Sequence, residues 1–415
     1  MILRARIILP VTGSPITDGA IIIAGNKIRS VTPFQHLRPQ LRKQVLDLGD
    51  VIVLPGLVNA HCHLDYTDMA GELPPPKTFT DWIAAITAAK ADWSYSDYAR
   101  SWLHGAHQLL KNGTTTVGDI EAMPDLLPEV WESTPLRVIS FLEMTGIKSR
   151  RAPKDILREA IVKIESLKHP HHRAALSPHA PYSTRAELLR LTARISRQRK
   201  IPTSIHVAES LQESEMFLHA RGRMHDWLAR NERDNSDCGL GSPVAHLARN
   251  QLLGENVLAI HVNYLARGDA TLLAKNKTHV VHCPRSHDYF KHQPFERERL
   301  VKAGVNVCLG TDSLATTRKT GKNKPELDMF TEMRTLADDD KSLSPEEILQ
   351  MATVNGARAL GLGGKVGELV KNAFADLIAL PFTGKASRAP EAVLAHSGGV
   401  QASLINGRWA IPPVN

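Results

Sequence analysis

The segment Pro55-Gly56-Leu57-Val58-Asn59-Ala60-His61-Cys62-His63 concentrates more chemistry than any other part of the chain. Residues two apart on an extended strand point to the same side. His61 and His63 can therefore present two imidazoles to one metal ion at the end of a strand. A lone His-x-His pair says little in a chain with 19 histidines. Three further segments strengthen it. Ile205 to Ser210 ends an apolar run with His206 and Glu209, Ala259 to Asn263 ends one with His261, and Leu309 to Ser313 ends one with Asp312. Glu209, three positions after His206, points away on a regular strand, so the chain must turn there to bring its carboxyl in.

These residues need a scaffold that delivers strand ends to one face. Strand-like runs at 114–120, 136–142, 174–177, 203–207, 257–262, 279–283 and 305–309 alternate with helical patterns such as 186–198 and 213–228. With the segment 51–63 this makes eight strands, the arithmetic of a (β/α)8 barrel, whose catalytic groups sit at the C-terminal ends of the strands. The interval from 61 to 206 accommodates four βα units of roughly 36 residues, which puts His206 on the fifth strand, His261 on the sixth and Asp312 on the eighth. A doubly wound open sheet is the alternative, but no G-x-G-x-x-G follows the first strand. Both chain ends carry short strands and turns, including Asn406-Gly407. They predict a small discontinuous β-sandwich domain from 1–54 plus 368–415, flanking a barrel over 55–367. Ser344-Pro345-Glu346-Glu347 marks a helix start.

In this order, PGLVNAHCH, HVAE, the sixth-strand His and GTDS resemble the motifs of the amidohydrolase superfamily, and the resemblance spans nearly the whole chain. It implies a distorted TIM barrel and a metal held by His61, His63, His206 and Asp312. Two-metal members carry a bridging Lys or Glu on the fourth strand. Here that strand reads Ala174-Ala175-Leu176-Ser177-Pro178-His179, so a single divalent ion is expected. His and carboxylate donors suit Zn²⁺, and Fe²⁺ fits the same set. A metal with one open position lowers the pKa of its water toward about 7. Asp312 can then take the proton, and His261 can hold the nucleophile or stabilise developing charge. The His-x-x-Glu pair resembles the cyclic-amidine deaminases, which implies Glu209 as proton shuttle to a ring nitrogen and the departing amine. Methylthioadenosine/S-adenosylhomocysteine deaminases, aminodeoxyfutalosine deaminases and the chlorohydrolase-like group are the members it resembles. Substrate contacts are expected from His179, Arg285, Ser286, His287, Ser313 and Trp82. The expected activity is deamination of an amino-purine-like ring, with a guanine deaminase or a triazine amino- or chlorohydrolase as the alternative on the same site. A non-enzymatic barrel would be expected to lose ligands that this chain keeps.

Composition narrows the partners. The 415 residues are 42% hydrophobic and 23% charged, an ordinary globular balance. The net charge of +8 is spread out; the densest basic stretch is 148–151, and aromatics are only 5%. Nucleic-acid binding is therefore not expected, and a small-molecule substrate is. No apolar run reaches membrane-spanning length. Four cysteines without a C-x-x-C pair suggest a reduced, cytoplasmic protein, and a homo-oligomer is compatible with everything above. His169, His171 and His172 read as a solvated loop.

Overall fold

The computed structural model describes residues 1–146, 151–319 and 324–413. Most of the basic stretch at 148–151 lies outside the described residues. The chain opens with five strands, β1 (Ile2–Ile8), β2 (Ile16–Ala24), β3 (Lys27–Pro33), β4 (Val45–Asp47) and β5 (Val51–Pro55). Eight barrel strands follow: β6 (Leu57–Cys62), β7 (Thr114–Glu121), β8 (Arg137–Met144), β9 (Arg173–Pro178), β10 (Thr203–Val207), β11 (Val257–His261), β12 (His279–His282) and β13 (Val307–Leu309). The chain closes with β14 (Leu377–Pro381), β15 (Ala402–Ile405) and β16 (Arg408–Ile411).

β6 to β13 are parallel neighbours in chain order, with helices between them. Their inward side chains, among them Val58, Phe141, Ala175, Leu258, Ile260, Val281 and Cys308, form one buried apolar cluster. This is the filled interior of a (β/α)8 barrel. The ring shuts where β13 meets β6. Asn59 stitches that seam: its Nδ2 donates to Thr311 Oγ1 at 2.7 Å, and its Oδ1 accepts the Thr311 N–H at 3.1 Å. The His61 carbonyl accepts from the N–H groups of Thr311 and Asp312, and Cys62 bridges to Asp312.

The terminal strands form a second, mixed sheet in the order β16-β15-β14-β5-β1-β2-β3, with β4 pairing β1. One expectation is corrected here. The run from Val51 to His63 is not a single barrel strand. It divides at Gly56, so β5 joins β1 and β14 in the terminal sheet and only β6 enters the barrel. A Cβ at Gly56 would lie 2.1 Å from the Thr115 side chain, so the chain can turn against β7 only without one. The terminal sheet is fastened to the barrel by a buried ion pair. Arg137, at the start of β8, reaches Asp376, just before β14, at 3.0 Å.

One helical reading shifts as well, and another holds. The pattern at 213–228 breaks at Gly222 into helices Leu211–His219 and Arg223–Arg230. Ser344 caps the helix Pro345–Met351 in a full capping box with Glu347. His172 is not solvated. It is buried, its Nδ1 accepts the Val138 N–H at 3.2 Å, and its Nε2 lies 3.1 Å from the Trp131 carbonyl. All four cysteines are free and buried. Among the described residues no helix is long and apolar enough to cross a membrane.

Candidate active site at the strand ends

His61, His63, His206, His261 and Asp312 converge at the C-terminal mouth of the barrel, and all are buried. Candidate donor atoms of His61, His63 and His206 lie within 4.8 Å of one another, and so do those of His61, His261 and Asp312. His63 Nε2 is 3.4 Å from His206 Nε2. Asp312 Oδ1 is 3.4 Å from His61 Nε2 and 3.6 Å from His63 Nε2. Neither ring nitrogen of His61 has a hydrogen-bond partner, and neither does His261 Nε2. Buried polar atoms are nearly always satisfied, so unpaired nitrogens facing one another need a further group between them. Burial drives three of the imidazoles toward the neutral form: His206 falls to about 3, and His63 and His261 lie well below their usual value. Neutral imidazoles have free lone pairs. Burial alone would raise Asp312, but the imidazoles of His61, His261 and His63 that face it hold it well below the carboxylate range. Lone pairs and a carboxylate at these separations fit a divalent metal. His206 is oriented by its Nδ1, 3.0 Å from the His179 carbonyl.

The strand ends pay for this convergence in backbone conformation. Ala208, His261, Val262 and Asp312 all have positive φ, between 49° and 73°. Such values are unfavourable for L-residues, most of all for β-branched Val262, and cluster where structure holds a functional geometry. The turn at Ala208 is what brings Glu209 inward, with its Oε1 3.6 Å from His261 Nε2. Burial, with Asp312 and Glu213 adding repulsion, raises Glu209 well above the usual carboxyl value.

The remaining sequence candidates divide. His179 stands beside the cluster, with ring centroids 5.1 Å from His206, its Nδ1 2.5 Å from Ser183 Oγ and its Nε2 3.9 Å from Glu143. His287 lies one layer out, its Nδ1 3.1 Å from Asn263 Oδ1. Trp82 sits in an aromatic group with Phe79 and Phe290, and its indole N–H is buried without a partner. Ser286 is buried beside His287 on the helix Pro284–Phe290. Two candidates are turned to structural contacts. Arg285 donates to the buried Glu332 from its Nε at 2.5 Å and to the Glu326 carbonyl from its Nη1, and its Nη2 is buried without a partner. Ser313 caps the short turn of Leu314–Thr316. Several neighbours were not legible from sequence. Tyr66 stacks on His63, and Asp119 accepts the Leu64 N–H at 3.0 Å, fixing the chain just after the His-x-His pair. Glu213 and Asn263 touch the Glu209 peptide. Only Glu213 carried a signal, the Ser-x-x-Glu spacing from Ser210.

Comparison with known proteins agrees with this geometry. A methylthioadenosine/S-adenosylhomocysteine deaminase of Syntrophobacter fumaroxidans is 32% identical over 428 aligned positions, covering 95% of this chain and 89% of that protein. The fold is shared with an aminofutalosine deaminase of Helicobacter pylori in complex with methylthio-coformycin, at a TM-score of 0.84 and 21% identity over 99% of this chain and all of that one. It is shared too with a zinc-bound atrazine chlorohydrolase of Arthrobacter aurescens, at 0.83 and 19%, over 99% and 95%. The model of the amidohydrolase family matches residues 52–410, from β5 through every strand end described above, and the chain belongs to that family.

Proposed function

We propose that the protein is a hydrolytic deaminase of an adenosine-type nucleoside of the methylthioadenosine, S-adenosylhomocysteine or aminodeoxyfutalosine class. The reading assigns one divalent ion, zinc before iron, to His61, His63, His206 and Asp312. When bound, that ion supplies Lewis-acid activation of water. The observation that carries the reading is Glu209, a buried carboxyl beside the donor cluster, 3.6 Å from His261, whose burial favours the protonated form. A carboxyl kept protonated can donate to a ring nitrogen while water adds to the amino-bearing carbon. The C–O bond forms as that nitrogen gains the proton. Asp312 accepts a proton from the water, and His261 stabilises charge developing on the oxygen. The second water proton passes through Glu209 to the amino group, the C–N bond breaks, ammonia leaves, and the proton left on Asp312 returns to Glu209 for the next cycle. His179, His287, Ser286 and Trp82 are assigned to the substrate side of this site; Arg285 and Ser313 act by shaping the loops beneath it. The deaminase relative supports this substrate class, and the fold shared with a chlorohydrolase keeps a triazine ring as the second reading.

The test is ammonia release by metal-loaded protein across adenosine-type nucleosides, guanine, pterins and aminotriazines, with chloride release scored on chlorotriazines. Glu209→Gln keeps the shape and removes the acid. It is expected to retain metal and to bind substrate normally while kcat falls 10²–10⁴-fold. Unimpaired turnover by that variant refutes the assignment of Glu209. Activity confined to triazines selects the second reading.

A further inference from the structure

Glu209 lies in neither strand nor helix; it occupies the short turn between β10 and the helix Leu211–His219. A side chain on such a turn is only as well placed as its own peptide. That peptide is held from both sides. Its N–H donates to Glu213 Oε2 at 2.9 Å, and its carbonyl accepts from Asn263 Nδ2 at 3.0 Å. Asn263 is in turn tied through its Oδ1 to His287 Nδ1. Glu213 is 0% exposed and Asn263 5%.

The grip by Glu213 departs from ordinary helix capping. Ser210 is the N-cap and Glu213 the third helical residue, and Ser210 Oγ accepts the Glu213 N–H at 3.2 Å in the usual way. In a capping box the glutamate returns to the N–H of the cap residue itself. Here its Oε2 reaches one residue further back, to the N–H of Glu209. The turn it supports has Ala208 at φ 49°, in the left-handed region that L-residues disfavour. Without an external acceptor the turn has reason to relax, and Glu209 would move with it.

We propose that Glu213 and Asn263 are positioning residues that clamp the Glu209 peptide and so aim its carboxyl at the reacting ring. The inference rests on the reading of Glu209 as proton shuttle. Displacing a reacting group by about 1 Å can lower turnover 10²-fold. In the metal-loaded enzyme, Glu213→Ala is expected to lower kcat ten- to a hundredfold, with KM changed less than about twofold. Glu213→Gln keeps a carbonyl acceptor for the Glu209 N–H and should recover most of that loss. Asn263→Ala should resemble Glu213→Ala. The double variant should lose far less than the product of the two, because both act on one peptide. The limb of the pH–rate profile that belongs to Glu209 should shift in Glu213→Ala; a simple loss of folded enzyme would leave it in place. In a Glu209→Gln background, Glu213→Ala should cost nothing more. The inference is overturned by wild-type kcat in Glu213→Ala, by an equal loss in the Glu209→Gln background, or by a loss that tracks metal content alone. Full activity of Glu209→Gln overturns the shuttle reading and this inference with it. An impaired Glu209→Gln beside an unimpaired Glu213→Ala overturns only the clamp.

Discussion

Gly310→Ala tests whether the barrel seam sets the geometry of the donor cluster. Gly310 follows β13 and lies directly against β6. A Cβ there would meet His61 O at 2.8 Å, His61 Cβ at 2.9 Å and His61 N at 3.0 Å. Ordinary contact starts near 3.4 Å, so each neighbour is roughly half an ångström too close. None of the three can move by a rotamer change; the backbone at His61 or at Gly310 must shift. Moving His61 away stretches the bonds its carbonyl accepts from Thr311 and Asp312, and it widens the 3.4 Å approach of His61 to Asp312. Overpacking of this kind costs about 1–3 kcal/mol, and two weakened hydrogen bonds add about 1–3 more. The expected loss is therefore about 2–6 kcal/mol in the metal-free protein, together with weaker metal binding. Gly13→Ala is the control, because nothing lies within 4 Å of the added methyl. The assay is denaturant unfolding of metal-free and metal-loaded protein, with metal affinity by competition against a chromogenic chelator. Gly310→Ala with the stability and metal affinity of Gly13→Ala would refute the reasoning. A loss of stability with unchanged metal affinity would refute only the link from seam to cluster.

Breaking the buried pair with Asp376→Asn leaves Arg137 uncompensated and should cost about 3–5 kcal/mol, read as the denaturation midpoint; Arg137→Met with Asp376→Leu should recover most of it. Stability should fall as the pH drops below about 6.5, because His172 stays neutral when folded down to about 3 while the unfolded chain takes up the proton. Urea midpoints between pH 7.5 and 5 measure that slope, and His172→Gln should lessen it by one imidazole's share, His206 and the other buried histidines keeping the rest. Chelation should lower the thermal midpoint and added zinc should restore it, since an ion at a hundredfold its Kd stabilises the native state by about 2.7 kcal/mol. His61→Ala should abolish that recovery.

The barrel was legible because its signals are local. Most of β6 to β13 are short apolar or β-branched runs, and His61, His63, His206, His261 and Asp312 stand at or just beyond the ends of such runs. Parallel strands buried on both faces read this way from sequence. The partition at Gly56 was hidden, because Val51 to Val58 is apolar on both sides of the break and only the approach of Thr115 explains it. His172 looked like loop because its neighbours His169 and His171 are polar; its burial depends on Trp131 and Val138, distant in sequence. Arg285 stood in a pocket motif, yet its Nε pairs with the buried Glu332 on the helix Met329–Asp339, and no local pattern announces that pair. Asn263 stood in plain view inside a quoted motif. Its role emerges only when the turn after β10 is brought beside the one after β11.

The closures of this molecule have a consequence for how the chain is made. The seam joins Asn59 to Thr311 across 252 residues, and the terminal sheet joins Asn26 to Asn406 across 380. The first contact cannot form before Thr311 has been synthesised, nor the second before Asn406. A nascent chain that has emerged only as far as β12 already displays His61, His63 and His206, but it has no β13 against β6 and no β14 against β5. Its unpaired strand edges are sticky, and pairing over such separations is slow. Emergence of β13 and β14, rather than of the first barrel strands, is then the event that commits the chain to its fold, and truncation anywhere before β14 should yield aggregate instead of a smaller barrel.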